Sequence, residues 1–441
     1  LKSFSRIHKI DQLVIFNNFR PSRLARTGHA DDCSTKAFPM QSRLSPYAWV
    51  CFSMCVGVMG TALASPLYPL YQQAWGLQPS HIRQIFVTYM LGALISLLFL
   101  GRLTNLFGFL KVLRLGLMVM TVGVIGSALS WNAWSLGASR FVIGLASGLI
   151  TTSASIGMTQ LNNKGDLQRA AATTSLTIAF GFGLGPVVGG LMAQWVPHPL
   201  VSSYLPPIAL SFLGIHALFK IQLPATSAPV HNAPGLTLKD VLPSISQPRK
   251  PFLYHYALGC MAAFSAFGMF SLFAAMAPSF MAQMLPWHGP AVSGLSIGVI
   301  LFLSAGIQLI ARPYPTKRLI IIGFFALATT NALLVLNLFA GSPWLFALSV
   351  LSMSCGHALC NLSGMAVVNK VSKPVNRTGL LSTYLVVGYV GTIVPILGMG
   401  WLSDHIGLTG ALIAFCACLG LLSALLGIIS ARARVLPVPR Q

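Results

Sequence analysis

Residues Gly181–Gly190 read GFGLGPVVGG and carry the strongest indication of the fold. They place one proline among five glycines in an uncharged, mostly apolar run that ends at Trp195. In a soluble helix each interior glycine costs about 1 kcal/mol and an interior proline about 3 kcal/mol. A membrane bundle tolerates both, because small residues let helices approach closely and neighbouring helices satisfy the freed backbone groups. The stretch predicts a thin, bendable helix in a moving bundle, which is more typical of a transporter than of an enzyme.

The composition is that of an integral membrane protein. Hydrophobic residues make up 55% of its 441 residues, charged residues make up 8%, and the mean hydropathy is +0.75. A soluble protein needs far more charge on its surface. Apolar runs of about 20 residues predict an all-α integral membrane protein with twelve spans. These spans are 47–71, 83–101, 112–131, 134–159, 170–195, 203–221, 253–284, 290–311, 318–338, 343–369, 379–402 and 407–430.

Positive charges alternate between the connections of these spans. The even-numbered connections and the C-terminal tail hold Arg102, Lys111, Arg114, Lys164, Arg169, Lys220, Lys239, Arg249, Lys250, Arg312, Lys317, Arg318, Lys370, Lys373, Arg377, Arg432, Arg434 and Arg440. The odd-numbered connections hold almost none, and Arg83 is the main exception. By the positive-inside rule, both termini and all even connections face the cytoplasm. A basic chain can also indicate nucleic-acid binding, but these cations form no single patch, so no nucleic-acid partner is predicted.

Two polar segments divide the chain. Residues 1–39 hold seven of the 28 lysines and arginines and three of the six acids, and they precede Met40. They are interpreted either as a disordered tail or as an over-long gene prediction. The Pro- and Ser-rich stretch 222–252 is interpreted as a cytoplasmic linker. The predicted organisation is then an N-terminal six-helix bundle, a C-terminal six-helix bundle and a cytoplasmic tail, at residues 40–221, 253–431 and 432–441.

A weak internal repeat supports two related halves. Pro69 in span 1 and Pro278 in span 7 are 209 residues apart, and so are Pro186 in span 5 and Pro395 in span 11. Equal offsets between spans of matching order are expected when a six-helix unit has been duplicated. The sequence therefore predicts two pseudo-symmetric bundles.

Two intramembrane motifs, with the twelve spans and their six-and-six division, resemble the major facilitator superfamily from about Met40 to the tail. The first motif resembles one found mainly in the antiporter branches, especially drug exporters, and consists of Gly181, Gly185, Pro186, Gly189 and Gly190. The second resembles the span-4 motif of the family, in which a buried arginine precedes small residues, and consists of Arg140, Gly144 and Gly148. The resemblance implies the fold of that superfamily.

The connection between spans 2 and 3 resembles the cytoplasmic gate loop of the same family, G-x-L-x-D-R-x-G-R-K. The matching residues include Gly101, Arg102, Asn105, Gly108 and Lys111. Asn105 stands where the family has aspartate, and apolar residues replace three of its basic positions. In the family this loop makes charge contacts that latch the cytoplasmic side. Here either Asn105 holds the latch through hydrogen bonds alone, or the inner gate is weaker.

Carboxylates are almost absent. The chain has no glutamate, and its acids after Met40 are Asp166, Asp240 and Asp404. Proton-coupled transporters commonly use an intramembrane carboxyl group, whose pKa desolvation can raise. The first two aspartates are interpreted as solvated loop charges. Asp404, at the outer end of span 11, is either a titrating group in contact with the outside or an interfacial charge that ends a helix.

Histidine and arginine supply the other coupling candidates. His357 falls near the middle of span 10 with Asn361 one turn later. It can carry a proton near neutral pH, or it can form a neutral hydrogen bond between helices. Arg140 stays charged and cannot be the proton carrier. It can bind an anionic substrate group or lower the pKa of a neighbour, and the alternative is that it snorkels to the interface.

Several polar side chains inside spans are weaker pocket candidates. They are Tyr68, Tyr89, Gln308 and Tyr384, and each can bind substrate or simply connect helices. The eight cysteines lack metal-ligand spacing, so no metal site is predicted. No hydrolase, nucleotide-binding or metalloprotease motif is present, so neither an enzyme nor a cofactor is predicted.

The resemblance implies a secondary transporter that moves a small organic molecule by alternating access, with a site between the halves. The span-5 motif favours export by antiport, with protons as a candidate partner. The alternatives are a uniporter or uptake permease for a neutral or anionic solute, and a non-transporting sensor of the same fold. The expected location is a bacterial inner membrane, and the expected state is a monomer.

Overall fold

The computed structural model describes residues 45–100, 103–162, 167–222, 248, 250–284, 289–372 and 377–433. Within these ranges the chain is helical apart from short turns, so the all-α prediction is confirmed. The predicted tail 1–39, Gly101, Arg102, nearly all of the linker 222–252, and residues 434–441 lie outside the described residues. Asp166 and Asp240 also lie outside them.

The helices follow the predicted spans and keep their numbers below. Spans 1 to 6 contain Pro46–Ala62 with Tyr68–Trp75, Pro79–Ile95, Phe109–Ala128, Ala133–Gln160, Leu167–Trp195 and Leu205–Lys220. Short helices at Leu103–Phe107 and Pro199–Ser202 precede spans 3 and 6, and a π-helical turn, Ser96–Leu100, extends span 2. Spans 7 to 10 are Lys250–Met284, Pro290–Ala311, Thr316–Ala340 and Pro343–Val371. Spans 11 and 12 share one helical run, Arg377–Arg432.

Eleven of the described helices are long and apolar enough to cross a membrane. The last of them covers both predicted spans 11 and 12, because only Gly407 interrupts the helix, with φ 77° and ψ 166°. A left-handed φ favours glycine, which has no Cβ to clash. The count of twelve is therefore reached by taking 377–406 and 408–432 as two arms of one run.

The outer half of span 1 is broken at its prolines. The first helix ends at Ala62, a 3-10 turn covers Ser65–Leu67, and a second helix begins at Tyr68. Pro66 and Pro69 lack the N–H groups that a continuous helix would use. The break sets Tyr68 against the interior of the bundle, where it is fully buried.

Span 5, in contrast, stays helical through Pro186, and glycines without side chains lie on two of its faces. On one face, a Cβ added to Gly181 would lie 2.6 Å from the carbonyl oxygen of Cys55 in span 1. On the other, a Cβ added to Gly190 would lie 3.2 Å from the Cα of Ala291 in span 8. The glycines therefore let one helix approach two neighbours closely.

Apart from spans 5 and 8, which pack most extensively on each other, spans 1 to 6 pack mainly on one another, and so do spans 7 to 12. The two halves meet mainly where span 5 packs on span 8 and where span 2 packs on span 11. These two contacts define the interface between the halves.

Hydrogen bonds between connections distinguish two faces of the bundle. Lys317 Nζ donates to the carbonyl oxygen of Ala433 at 2.7 Å, and Lys370 Nζ donates to Thr316 Oγ1 at 2.9 Å. Arg114 Nη2 donates to the carbonyl oxygen of Leu218 at 2.7 Å, at the same ends of spans 3 and 6. We call the face formed by these even-numbered connections the basic face, and the opposite one the distal face.

Candidate functional site

Arg140 lies two turns inside span 4 from the distal face and is only 1% exposed. Gly144 and Gly148 bring span 4 against span 2, since a Cβ on Gly144 would lie 2.8 Å from the backbone nitrogen of Ala93. This close approach sets the guanidinium carbon of Arg140 4.9 Å from the ring centroid of Tyr89. The arrangement is a buried cation–π contact. Because the guanidinium is enclosed inside the bundle, the alternative interpretation, that Arg140 snorkels to the interface, is wrong.

Tyrosines surround this guanidinium. The Tyr89 ring faces it, and the buried Tyr68, Tyr71 and Tyr204 lie nearby. The Tyr71 and Tyr204 hydroxyls pair at 3.0 Å. Among the described residues, no group meets hydrogen-bonding geometry with Arg140 Nε, Arg140 Nη1 or the Tyr68 hydroxyl. The structure thus unites three predicted residues, Arg140, Tyr68 and Tyr89, in a site rich in unused donors.

A small cavity of about 20 Å³ adjoins Arg140 and lies between the two halves. Tyr89 and Phe182 line it from the N-terminal half, and Phe270 and Ile297 line it from the C-terminal half. Its volume is enough for about one water molecule. Because both halves supply its walls, any relative movement of the halves changes its size.

His357 forms a second cluster with two more predicted residues. Its Nδ1 lies 2.8 Å from Ser304 Oγ of span 8, and its Nε2 lies 3.0 Å from Asn361 Nδ2. Gln308 Nε2 donates to Ser304 Oγ at 3.4 Å. An Asn361 amide that donates to Nε2 requires the neutral imidazole with its proton on Nδ1, which then donates to Ser304. Ser304 belongs to another span, so its contact with His357 could not be predicted from the sequence.

The distal interface contains Arg83, which in the sequence stands out only as a positive charge in an odd-numbered connection. Arg83 is 0% exposed, and its Nη2 donates to the carbonyl oxygen of Gly400 at 3.1 Å and to Ser403 Oγ. The carboxylate of Asp404 lies 3.8 Å from the same nitrogen and is 31% exposed. We call Arg83, Gly400, Ser403 and Asp404 the distal latch, since it joins span 2 to span 11. Two features of the sequence could have indicated this latch: a cation in an odd-numbered connection and an acid at the same face.

Tyr384 and the gate loop stand apart from these clusters. Tyr384 is buried in the C-terminal half with Tyr256 and Cys260, and it does not join the other candidates. Gly108 has a φ of 83° and begins span 3, where glycine is favoured. Lys111 is exposed, and the side chain of Asn105 lies outside the described residues.

A larger cleft opens between spans 1, 5 and 8 in the part of the bundle nearer the basic face. It has a volume of about 650 Å³. Its walls are Cys51, Phe52, Cys55, Leu176, Thr177, Phe180, Phe302, Ala305, Gly306 and Leu309. The halves are thus in contact near the distal face, and toward the basic face a mostly apolar cleft lies between them, where Phe180 and Phe302 still meet with ring centroids 5.3 Å apart.

Comparisons with known proteins agree with this architecture. A family model described as Major Facilitator Superfamily matches residues 50–314. The multidrug efflux protein YfmO of Bacillus subtilis is 23% identical over 373 residues, which cover 81% of this chain and 86% of YfmO. The quinolone resistance protein NorA of Staphylococcus aureus is 26% identical over 166 residues, which cover 38% of this chain and 41% of NorA.

A solved structure shares the fold. The crystal structure of a POT family transporter in complex with a thioalcohol conjugated peptide has a TM-score of 0.70 and 14% sequence identity. The match covers 87% of this chain and 94% of that chain. The family model covers more than half of this chain, and the two relatives named above are drug efflux or drug resistance proteins. This chain is therefore a multi-pass membrane transporter that belongs to the major facilitator superfamily and resembles its drug exporters.

Proposed function

We propose that this transporter exports a small amphipathic organic molecule by alternating access. The observation that carries the proposal is the asymmetry of the interface between the halves. The distal latch and the contact of span 5 with span 8 join the halves near the distal face. Toward the basic face, a cleft of about 650 Å³ lies between them. A solute that enters this cleft crosses when the distal contacts open and the cleft closes.

The basic face is proposed to be cytoplasmic, in a bacterial inner membrane, with the chain acting as a monomer. Lys317, Lys370 and Arg114 lie at this face, as the positive-inside rule requires. YfmO and NorA are bacterial proteins. With this orientation the cleft opens to the cytoplasm, which suits the loading step of an exporter.

The substrate is proposed to be neutral or anionic. The walls of the cleft are mostly aromatic and aliphatic, with Thr177 and two thiols as the polar groups. A cationic substrate would need a counter-charge in the bundle to offset its desolvation. Among the described residues the one carboxylate is Asp404, which already faces Arg83.

Reconstitution in proteoliposomes tests this proposal. Labelled benzoate, benzamide and benzylamine give three probes of similar size and different charge. We expect benzoate or benzamide to accumulate when a proton gradient is imposed, and benzylamine to stay at the level of empty liposomes. Equal movement with and without a protonophore would indicate a uniporter, and binding without any movement would indicate a sensor.

The coupling proton is proposed to bind at His357. An Asn361 amide can present either its N–H or its oxygen to Nε2, so neutral and protonated imidazole both find a partner. A neutral imidazole that accepts from the Asn361 amide is the state expected after proton release to the basic face.

Replacing His357 with glutamine is therefore expected to lower gradient-driven accumulation about tenfold or more, the usual contribution of a positioned proton-transfer group being about 100-fold. Exchange without a gradient should persist, because it needs no net proton transfer. Ser354→Ala is the control, since Ser354 is buried in the same span but donates only to the carbonyl oxygen of Val350. Unchanged accumulation in His357→Gln would remove this residue from the coupling mechanism.

A further inference from the structure

Within the part of the chain that the structure describes, the charge of Arg140 faces no carboxylate. Asp404, the one carboxylate among the described residues, lies in the distal latch with Arg83. The other five acids are at positions 11, 31, 32, 166 and 240, outside every predicted span. A buried cation is ordinarily paired with an anion or with several acceptors. Arg140 is 1% exposed and contacts a tyrosine ring instead.

The polar groups left open around this cation are donors. Arg140 Nε and Nη1 can only donate, and neither has a partner among the described residues. The Tyr68 hydroxyl, which also has no partner of good geometry there, can donate a third hydrogen bond. Guanidinium groups bind carboxylates through charge-assisted hydrogen bonds. A small oxyanion would satisfy these donors and the charge of the guanidinium together.

The walls of the adjoining cavity indicate what the rest of the ligand is like. Phe86, Phe182, Phe270 and Ile297 line the cavity beside Arg140. An inorganic anion would leave this apolar surface uncovered, whereas an aromatic or branched body would bury it. A single negative charge suffices to neutralise a single guanidinium.

We propose that Arg140 and Tyr68 bind the carboxylate of a small aromatic or branched monocarboxylate, with its apolar body among these four side chains. This inference rests on the proposed transport function and names the substrate class of that same pathway. The cavity of about 20 Å³ holds little more than a water molecule. Since Phe270 and Ile297 belong to the C-terminal half, the ligand gains room when the halves part at the distal face. Binding therefore favours the distal-open conformation.

Thermal unfolding of the purified full chain in detergent, with benzoate as the probe, tests this site. Benzamide serves as the neutral analogue and chloride at equal ionic strength as the inorganic anion. We expect benzoate to bind the parent protein and Arg140→Gln to weaken its binding by about 10- to 100-fold, the range for hydrogen bonds to a charged group. Arg140→Lys should lose less, and Tyr68→Phe about threefold to tenfold. Benzamide binding should change little in all three variants.

Arg114→Gln is the control for loss of an arginine charge, because Arg114 lies at the basic face and already donates to the carbonyl oxygen of Leu218. It should bind benzoate like the parent. Benzoate should also increase hydrogen exchange at the distal ends of spans 5 and 8 in the parent and not in Arg140→Gln. Equal benzoate binding by the parent and Arg140→Gln, or equal stabilisation by chloride and benzoate, overturns the inference.

The same probes separate this inference from the proposed function. Arg140-dependent benzoate binding, with no probe moving in proteoliposomes, supports the site and contradicts export. Gradient-driven movement of benzamide, with no benzoate binding by the parent, supports export and overturns the carboxylate site. Tyr68→Phe retains every charge, so its result stands if Arg140→Gln does not fold.

Discussion

Replacing Gly190 with valine is expected to hold the two halves apart near the distal face. A Cβ at Gly190 would lie 3.0 Å from the carbonyl carbon of Pro290 and 3.2 Å from the Cα of Ala291, both of which are backbone atoms of span 8. A backbone cannot rotate away as a side chain can, so the helices must separate. Overpacking of this kind costs about 1–3 kcal/mol. We expect the distal-closed population to fall about fivefold to 150-fold relative to the distal-open one.

Hydrogen exchange with mass spectrometry measures this shift. Faster exchange is expected in the distal ends of spans 5 and 8, and slower exchange around the cleft as it closes. Gly306→Val is the matched control in span 8, because a Cβ at Gly306 meets nothing within 4 Å. Gly306 also lines the cleft, so its exchange pattern, and not its transport rate, is the comparison. Identical exchange in the two variants would contradict the prediction.

Removing Arg83 is expected to weaken the distal latch far more than removing the charge of Asp404. Arg83→Ala removes the two hydrogen bonds that the guanidinium donates to the carbonyl oxygen of Gly400 and to Ser403 Oγ, and hydrogen bonds to a charged group are worth about 1.5–3 kcal/mol. Asp404→Asn removes a contact of 3.8 Å at a side chain that is 31% exposed. Such partly exposed ion pairs are worth about 1 kcal/mol or less. The latch is thus mainly a set of hydrogen bonds from one arginine.

The test compares how strongly the two variants increase hydrogen exchange. Exchange at the distal end of span 11 should rise in Arg83→Ala and change little in Asp404→Asn. Arg83→Lys keeps the charge but cannot reproduce the planar group of donors, so it should fall between them. An equal or larger effect of Asp404→Asn would show that the ion pair, and not the hydrogen bonds, closes the distal face.

The spans were predictable because each membrane helix carries its own signal. An apolar run of sufficient length identifies a span without knowledge of its neighbours. The break of span 1 at Pro66 and Pro69 also depends only on residues within that span. What local reasoning could not show is that spans 11 and 12 form one run, since Gly407 alone provides the turn between them.

The candidate site was predictable only within single helices. His357 and Asn361 are four residues apart and so share a helix face, as their hydrogen bond shows. The partner of His357 in span 8, Ser304, is 53 residues away, and Ser403 is 320 residues from Arg83. Such contacts depend on how whole helices are placed and rotated against one another. A single sequence does not contain that placement.

The single-residue turn at Gly407 has a mechanical consequence. A loop of several residues would let spans 11 and 12 slide independently, but one non-helical residue in a run from Arg377 to Arg432 leaves no slack between them. A displacement of span 11 at the distal latch must therefore carry the adjoining end of span 12 with it. Opening the distal latch is therefore expected to move the adjoining ends of spans 11 and 12 together and not one helix alone.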